Sequence, residues 1–295
     1  MTYRRAFLKQ AATLAAAAYA RPLLAAAPAS PKIGLQLYSL RDYIGQDVPG
    51  VLAKVAQAGY QEVETYGYDP QNGFWGLQPA AFKAALTAQG LTTTSGHYGL
   101  DALLRDNSQA ELEACIAAAN ACGQRYLVVP SMPEQVRATV ADCKAVAARL
   151  NQAGKRCRAA GLRLGYHNHN FEFKSIGGTT LYDVLLKETD PALVDFELDI
   201  YWVVRAGQDP VKLLKNHPTR FPLWHIKDMD KAKPDLNTEV GSGSINYRSL
   251  MAYASTAGLK YAVMEQENFA QDAYQSIAQS AAYMRKNLLG APTKA

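Results

Sequence analysis

"GLRLGYHNHNFEF", residues 161–173, follows an Ala-rich run with helical spacing and precedes a polar turn. Gly161 is the residue type that takes the left-handed conformation at the end of a helix. The apolar stretch "LRLGYH" (162–167) then reads as a short buried strand. His167 ends that strand and His169 lies just beyond it, so two of the chain's five histidines fall within three positions. Such a pair binds a metal, moves protons, or only finishes a strand.

The same unit recurs on both sides of this stretch. Short strand-like runs occur at 33–38, 61–66, 91–97, 125–130, 162–167, 193–199, 222–226 and 260–265, each followed by an amphipathic helical pattern. Gly59, Gly90 and Gly258 stop helices as Gly161 does. Eight strand–helix units, starting roughly thirty to forty residues apart, predict an α/β fold of the (β/α)8 TIM barrel type. A doubly wound sheet usually carries a phosphate-binding glycine turn after its first strand, and "GLQLYSLRD" (34–42) has none. No linker divides residues 31–290, which are expected to form one domain followed by a 291–295 tail.

In such barrels the site lies at the C-terminal ends of the strands. Strand three ends in His97, strand five in His167, strand six in Asp199, strand seven in His225 and strand eight in Glu265. His167, Asp199, His225 and Glu265 are therefore expected to converge on one divalent cation. Their mixed nitrogen and oxygen donors suit manganese, cobalt, zinc, iron or magnesium rather than a sulfur-seeking metal, with manganese favoured. Asp199 also stands where a helix N-cap would lie. Alternation puts Glu267 on the same side as Glu265, so either could ligate.

The formal charge of +5 is concentrated at the N-terminus, where Arg4, Arg5, Lys9 and Arg21 meet no acid; without them the balance is 5 − 4 = +1. A near-neutral body gives no electrostatic reason to expect nucleic acid or a membrane surface as partner. "YRRAFLK" (3–9), an Ala-rich run and the small residues of "LLAAAPAS" (23–30) resemble a twin-arginine export signal. That likeness implies a cleaved leader over 1–30, a periplasmic mature protein and no lasting membrane insertion. Cys115, Cys122, Cys143 and Cys157 lie in helical stretches without metal-ligand spacing, and read as small buried apolar side chains.

Four short motifs, "HNH" (167–169), "ELDIYW" (197–202), "WHIKD" (224–228) and "VMEQEN" (263–268), come in this order at strand ends. Together they resemble the xylose-isomerase-like sugar isomerase/epimerase family over about residues 31–290. The resemblance implies a barrel that holds a divalent metal through Glu, Asp, His and Glu on its last four strands. Asp199, His225 and Glu265 match the last three; His167 takes the place of the first glutamate. It also implies a carbohydrate substrate, isomerised or epimerised by proton transfer beside a carbonyl through a stabilised enediolate; the export-like leader, against the family's usual label, leads us to expect an unphosphorylated one, since phosphosugars are chiefly cytoplasmic. Loss of one carboxylate removes the symmetric base pair of the epimerases. The "YHNH" form also resembles inosose-dehydratase-like and keto-glycoside-lyase-like relatives, which makes β-elimination the alternative. A sugar-binding barrel without catalysis is the third reading.

The remaining roles follow from position. His169, Glu265, His167 and Lys227 are expected to move or stabilise protons and charge, Lys227 otherwise being a surface partner of Asp228. His97, Glu64, Tyr38, Trp202 and Glu267 are expected to contact the sugar, the aromatics through their faces. Glu64 could equally be a buried structural acid. The glycine-rich "EVGSGSIN" (239–246) either closes over substrate, cradles a phosphate, or is a loop ending in a helix N-cap. A homo-oligomer is compatible with all of this.

Overall fold

The computed structural model describes residues 32–289, so the leader over 1–30 and the tail over 291–295 lie outside the described residues. Eight parallel strands close into a barrel: β1 Ile33–Gln36, β2 Glu62–Thr65, β3 Thr92–His97, β4 Tyr126–Val129, β5 Arg163–His167, β6 Val194–Asp199, β7 Leu223–Ile226 and β8 Tyr261–Met264. Each pairs with its neighbours in sequence, and β8 closes on β1. The expected (β/α)8 barrel is what the described residues form.

Period-two alternation divides the strand residues between two cores. Leu35, Val63, Leu127, Leu164, Phe196, Trp224 and Met264 belong to the large cluster shared with the helices. Tyr126, Val128 and Leu223, of the other parity, form a separate cluster inside the barrel. Glycines make room there: a Cβ on Gly34 would meet Val263 Cγ2 at 3.2 Å, and one on Gly165 would meet Val128 Cγ2 at 3.1 Å. Towards the strands' C-terminal ends, residues of this inner parity turn polar and charged: Gln36, Glu64, His97, His167, Glu197, Asp199, His225, Lys227 and Glu265 are all buried. A barrel that spends so much interior on ionisable groups gives up apolar packing at its mouth, which is where function overrides folding.

The helices start and stop as the sequence predicts. The long helix Val140–Ala159 begins at a capping box in which Thr139 and Asp142 satisfy each other's backbone N–H groups. Gly161 follows it with φ of 81°, and Gly258 ends the helix Ala254–Ala257 with φ of 75°. The first strand is two residues shorter than expected. The Gln36 side chain accepts the Tyr38 N–H at 3.0 Å and turns the chain into a 3-10 helix, Leu37–Leu40, so Tyr38 stands on a rim turn. Three short hairpins after β2, β5 and β7, such as Asp228–Met229 with Asn237–Thr238, were not legible as strands. All four cysteines are buried and unpaired. No helix among the described residues is long and apolar enough to cross a membrane.

Candidate active site

The four expected ligands converge. One atom each of His167, Asp199, His225 and Glu265 lies within 4.8 Å of the others, and all four residues are buried. Adjacent strands set this up: Asp199 on β6 is in register with His225 on β7, and β5 lies on the other side of β6.

The donor geometry fits a cation. Asp199 Oδ2 is 3.5 Å from His167 Nε2 and 3.8 Å from His225 Nδ1, which is 3.3 Å from Glu265 Oε2. Donors about 2.1 Å from a common centre at tetrahedral angles stand roughly 3.4 Å apart. His167 Nε2 and Asp199 Oδ2 are buried without any hydrogen-bond partner, a costly arrangement for polar atoms that nothing else satisfies. Each imidazole is pinned through its other nitrogen. His167 Nδ1 is 3.2 Å from the Pro130 carbonyl oxygen, to which it donates when the lone pair is on Nε2. His225 Nε2 is 2.8 Å from Glu64 Oε1. That is the outer carboxylate or carbonyl partner characteristic of metal-ligating histidines.

Both readings of Asp199 hold at once. Its Oδ1 accepts the Trp202 N–H at 3.0 Å and caps the helix Ile200–Arg205, while Oδ2 is the free atom in the cluster. Asn168, between the two histidines, clamps the same residue: its Oδ1 accepts the Asp199 N–H and its Nδ2 donates to the Asp199 carbonyl.

Lys227 is not a surface lysine. It is fully buried, 3.1 Å from Glu265 Oε2 and 4.0 Å from Asp199 Oδ2, bonds Glu267 as well, and lies over the Trp202 ring at 5.0 Å. Burial alone would lower its pKa, but the Glu265, Asp199 and Glu267 carboxylates outweigh burial and raise it. The same ion pair, with His225, holds Glu265 well below the usual carboxylate range against the opposing effect of burial. Asp228 turns away from Lys227. Its carboxylate accepts the N–H groups of Met229, Gly241, Gly243 and Ile245, filling the glycine-rich turn from inside. That turn ends in Asn246, which caps the helix Tyr247–Leu250.

A cavity of about 500 Å³ opens over the cluster. His97, His167 and His169 line one part, Glu265 and Glu267 another, and Tyr38, Tyr66 and Trp202 supply aromatic faces; among the described residues no lysine or arginine lines it. Glu64, expected to touch the sugar, instead lies beneath, where it accepts from Gln36 Nε2 at 2.7 Å and meets both His97 and His225. The strand bulge at Val63/Glu64 accompanies this placement. Glu197 was missed. It is buried 2.7 Å from His97 Nε2 and 3.3 Å from His225 Nε2. The signal was present, since Glu197 precedes Asp199 by two and so shares its side of β6.

Electrostatics separates the histidines. His97 would be depressed by burial, but Glu64 and Glu197 raise it to about 10. Burial, together with His225 and His97, pushes His167 well below its ordinary value, leaving the neutral form that ligates metal. Burial and His167 lower His169 to about 3, and its Nδ1 has no partner. His169 is held in place by its N–H bond to Glu172 Oε2 at 2.9 Å and by stacking on Phe171.

A closed (β/α)8 barrel with imidazole and carboxylate donors gathered at its C-terminal mouth defines the class: a TIM barrel whose buried ionisable groups meet at one rim. The match to the Xylose isomerase-like TIM barrel family covers residues 52–287, and the chain belongs to that family. A solved sugar phosphate isomerase/epimerase from Parabacteroides distasonis is 31% identical, with a TM-score of 0.77, over 90% of this chain and 97% of that one. Inosose dehydratase of Salmonella agona is 24% identical over 69% of this chain and 75% of its own. Inosose dehydratase of Bacillus anthracis is 29% identical over 116 residues, and the match spans only 38% of that relative's length.

Proposed function

We propose that the protein is a divalent-metal-dependent enzyme that enolises an unphosphorylated carbohydrate beside a carbonyl and then expels a β-substituent. The observation that carries this is the asymmetry of the histidines around His167. His97, held as imidazolium, has its ring centre 5.0 Å from that of His167, and neutral His169 lies on another side at 4.9 Å. Epimerisation calls for two matching bases on opposite faces, whereas elimination calls for one base and one acid.

His167, Asp199, His225 and Glu265 would hold a divalent cation, manganese by preference, and such an ion would supply Lewis-acid polarisation of the substrate's carbonyl oxygen. His169 takes the proton from the carbon beside that carbonyl, and the C–H electrons pass into the enediolate. The developing negative charge nearby favours the imidazolium that forms, against the burial and the His167 ring that hold His169 neutral. His97 gives its proton to the departing β-oxygen as the enediolate electrons form the new double bond. The products are an α,β-unsaturated carbonyl compound and water or an alcohol. Tyr38, Tyr66 and Trp202 offer apolar faces to sugar rings, and the cavity lies in the range that encloses a drug-sized ligand. Among the described residues the cavity wall holds two carboxylates and no lysine or arginine, and Asp228 already fills the N–H groups of the glycine-rich turn; both argue against a phosphate group. The location proposed is the periplasm, on the leader's sequence alone.

The likeness to the Parabacteroides distasonis isomerase/epimerase favours a second reading, in which the proton returns to the substrate instead. Incubation of the manganese-loaded protein with keto-sugars and keto-glycosides in D2O separates the two. Loss of water or aglycone is the expected result. Deuterium beside the carbonyl with the skeleton intact establishes isomerisation, and binding without exchange across the panel removes the enzymatic reading.

A further inference from the structure

The proposed reaction leaves open what departs from the substrate, water or an alcohol, and the wall beside His97 bears on that choice. The cavity has two unlike arcs. His169 and Trp202, their ring centres 5.4 Å apart, stand just beyond β5 and β6. Tyr38, Tyr66 and His97 line the other arc, at the mouth ends of the adjacent strands β1, β2 and β3. Thr65 is in register with Gly96, so the residues that follow them, Tyr66 and His97, lie side by side. Gln36 is likewise in register with Glu64, which carries Tyr38 to the flank of Tyr66. The two tyrosine rings meet edge to face, with centres 5.1 Å apart.

This aromatic arc is braced from behind. Trp75 packs on Tyr66 at 5.1 Å and on Phe82 at 5.7 Å. Its φ is 50°, a left-handed conformation that a bulky side chain adopts only where its surroundings impose it. The Arg41 guanidinium lies 4.8 Å from the centre of the Tyr38 ring and donates to the carbonyl oxygens of Tyr38 and Glu267, tying the turn after β1 to the one after β8. Tyr38 still keeps 38% of its surface exposed. A fixed aromatic platform of this kind is where the apolar face of a ring binds, and departing water has no use for one.

Given the elimination proposed above, on which this rests, we infer that Tyr38 and Tyr66 form a leaving-group subsite and that the substrate is a glycoside whose departing alcohol carries a ring, aryl or sugar. His97 is the acid in that reaction, so the bond that breaks lies beside His97, and the departing group extends along the Tyr66–Tyr38 arc. β-Elimination of an anomeric substituent requires a carbonyl two carbons from the anomeric carbon. His169 takes the proton from the carbon between them, and the C–H electrons pass into the enediolate. Those electrons then form the double bond to the anomeric carbon as its bond to the glycosidic oxygen breaks. That oxygen keeps the electron pair and takes the proton of His97, which releases the alcohol and leaves an α,β-unsaturated ketone.

The test compares keto-glycosides that share this sugar and differ in the departing alcohol: methyl, benzyl and glucosyl, with the free keto-sugar as the compound that loses water. Methyl and benzyl alcohols are alike in acidity, so a difference between them reports binding of the ring. On the manganese-loaded full chain, kcat/KM for the benzyl or the glucosyl compound is expected to exceed that for the methyl compound by about tenfold. Benzyl alone marks an aryl alcohol, and glucosyl alone a second sugar. Tyr66→Ala is expected to bring the ratio close to one, and Tyr38→Ala is the second probe if Tyr66→Ala does not fold, judged by circular dichroism. A wild-type ratio near one, or faster loss of water from the free keto-sugar than of alcohol from any glycoside, overturns the inference and leaves the elimination standing. A preference that survives in both variants places the ring elsewhere and overturns it too. If neither water nor alcohol is released, calorimetric binding of the methyl and benzyl compounds decides. Tighter binding of the benzyl compound, lost in Tyr66→Ala, sustains the subsite and removes the elimination, and equal binding removes both.

Discussion

His167 Nε2 and Asp199 Oδ2 lie 3.5 Å apart in the barrel mouth, each without a hydrogen-bond partner, while the other polar atom of each side chain is engaged. Substitution can therefore separate ligation from architecture. Asp199→Asn keeps an oxygen for the Trp202 N–H, so it retains the cap but weakens ligation. It is expected to lower mouth-site metal content sharply and stability little. Asp199→Ala also loses the cap and drops stability by about a further 1 kcal/mol. His167→Ala is expected to match Asp199→Asn in metal loss. Elemental analysis and denaturant melts check both, and an unchanged metal content in either variant removes that residue from the ligand set.

The barrel was legible because strand ends and glycine stops repeat along the chain, and one rim then followed from topology. Asp199, His225 and Glu265 could be placed from their strand ends alone. Glu197 beneath the mouth was not read, and Glu64 was left open between a sugar contact and a buried acid. Glu64 and Glu197 sit within strands, where period-two alternation gives a side but not a depth, and Glu64 looked as near the mouth as His97. Lys227 was left open between the site and Asp228, because sequence adjacency also allows that pair. In the barrel, the alternation that sends Lys227 towards Glu265 leaves Asp228 free to turn outwards into its own loop.

Lys227 neutralises carboxylates that the fold has removed from water. Lys227→Met keeps much of the volume but leaves Glu265 and Asp199 facing each other, and is expected to cost roughly 3–5 kcal/mol. Glu267, which is partly exposed and bonds the same ammonium, should share that strain. Adding Glu267→Gln is expected to recover about 1 kcal/mol, a coupling measurable in a double-mutant cycle by urea denaturation. Strictly additive losses would show that Lys227 and Glu267 act independently.

Asp228 occupies the only role in the glycine-rich turn that a phosphate could have taken. Its two oxygens accept four backbone N–H groups, and a Cβ on Gly243 would meet Asp228 Oδ1 at 2.2 Å. Asp228→Ala is expected to destabilise the protein by roughly 3 kcal/mol, as charge-assisted bonds are lost. It should also leave a nest of N–H groups open to anions. Millimolar inorganic phosphate is then expected to raise the Tm of Asp228→Ala while leaving the wild type unmoved. A phosphate-dependent Tm in the wild type would instead point to a phosphosugar substrate.

Glu172 couples the His169 loop to pH. Its carboxyl is fully buried and accepts the Tyr166 hydroxyl at 2.7 Å and the His169 N–H at 2.9 Å. Burial nevertheless raises its pKa from 4.5 to about 7. A folded-state value above the unfolded one means that the native protein binds this proton more tightly. The stabilisation is complete below about pH 4.5 and is lost as pH rises through 7. A shift of that size corresponds to roughly 3 kcal/mol at most. Glu172→Gln mimics the protonated acid, its oxygen accepting the His169 N–H and its amide donating to the Tyr166 hydroxyl. The variant is expected to flatten the stability profile between pH 4.5 and 7 and to exceed the wild type at pH 8. Denaturant midpoints for the two proteins at pH 4, 6 and 8 measure this, and parallel profiles would show that Glu172 is not the group whose ionisation loosens the loop.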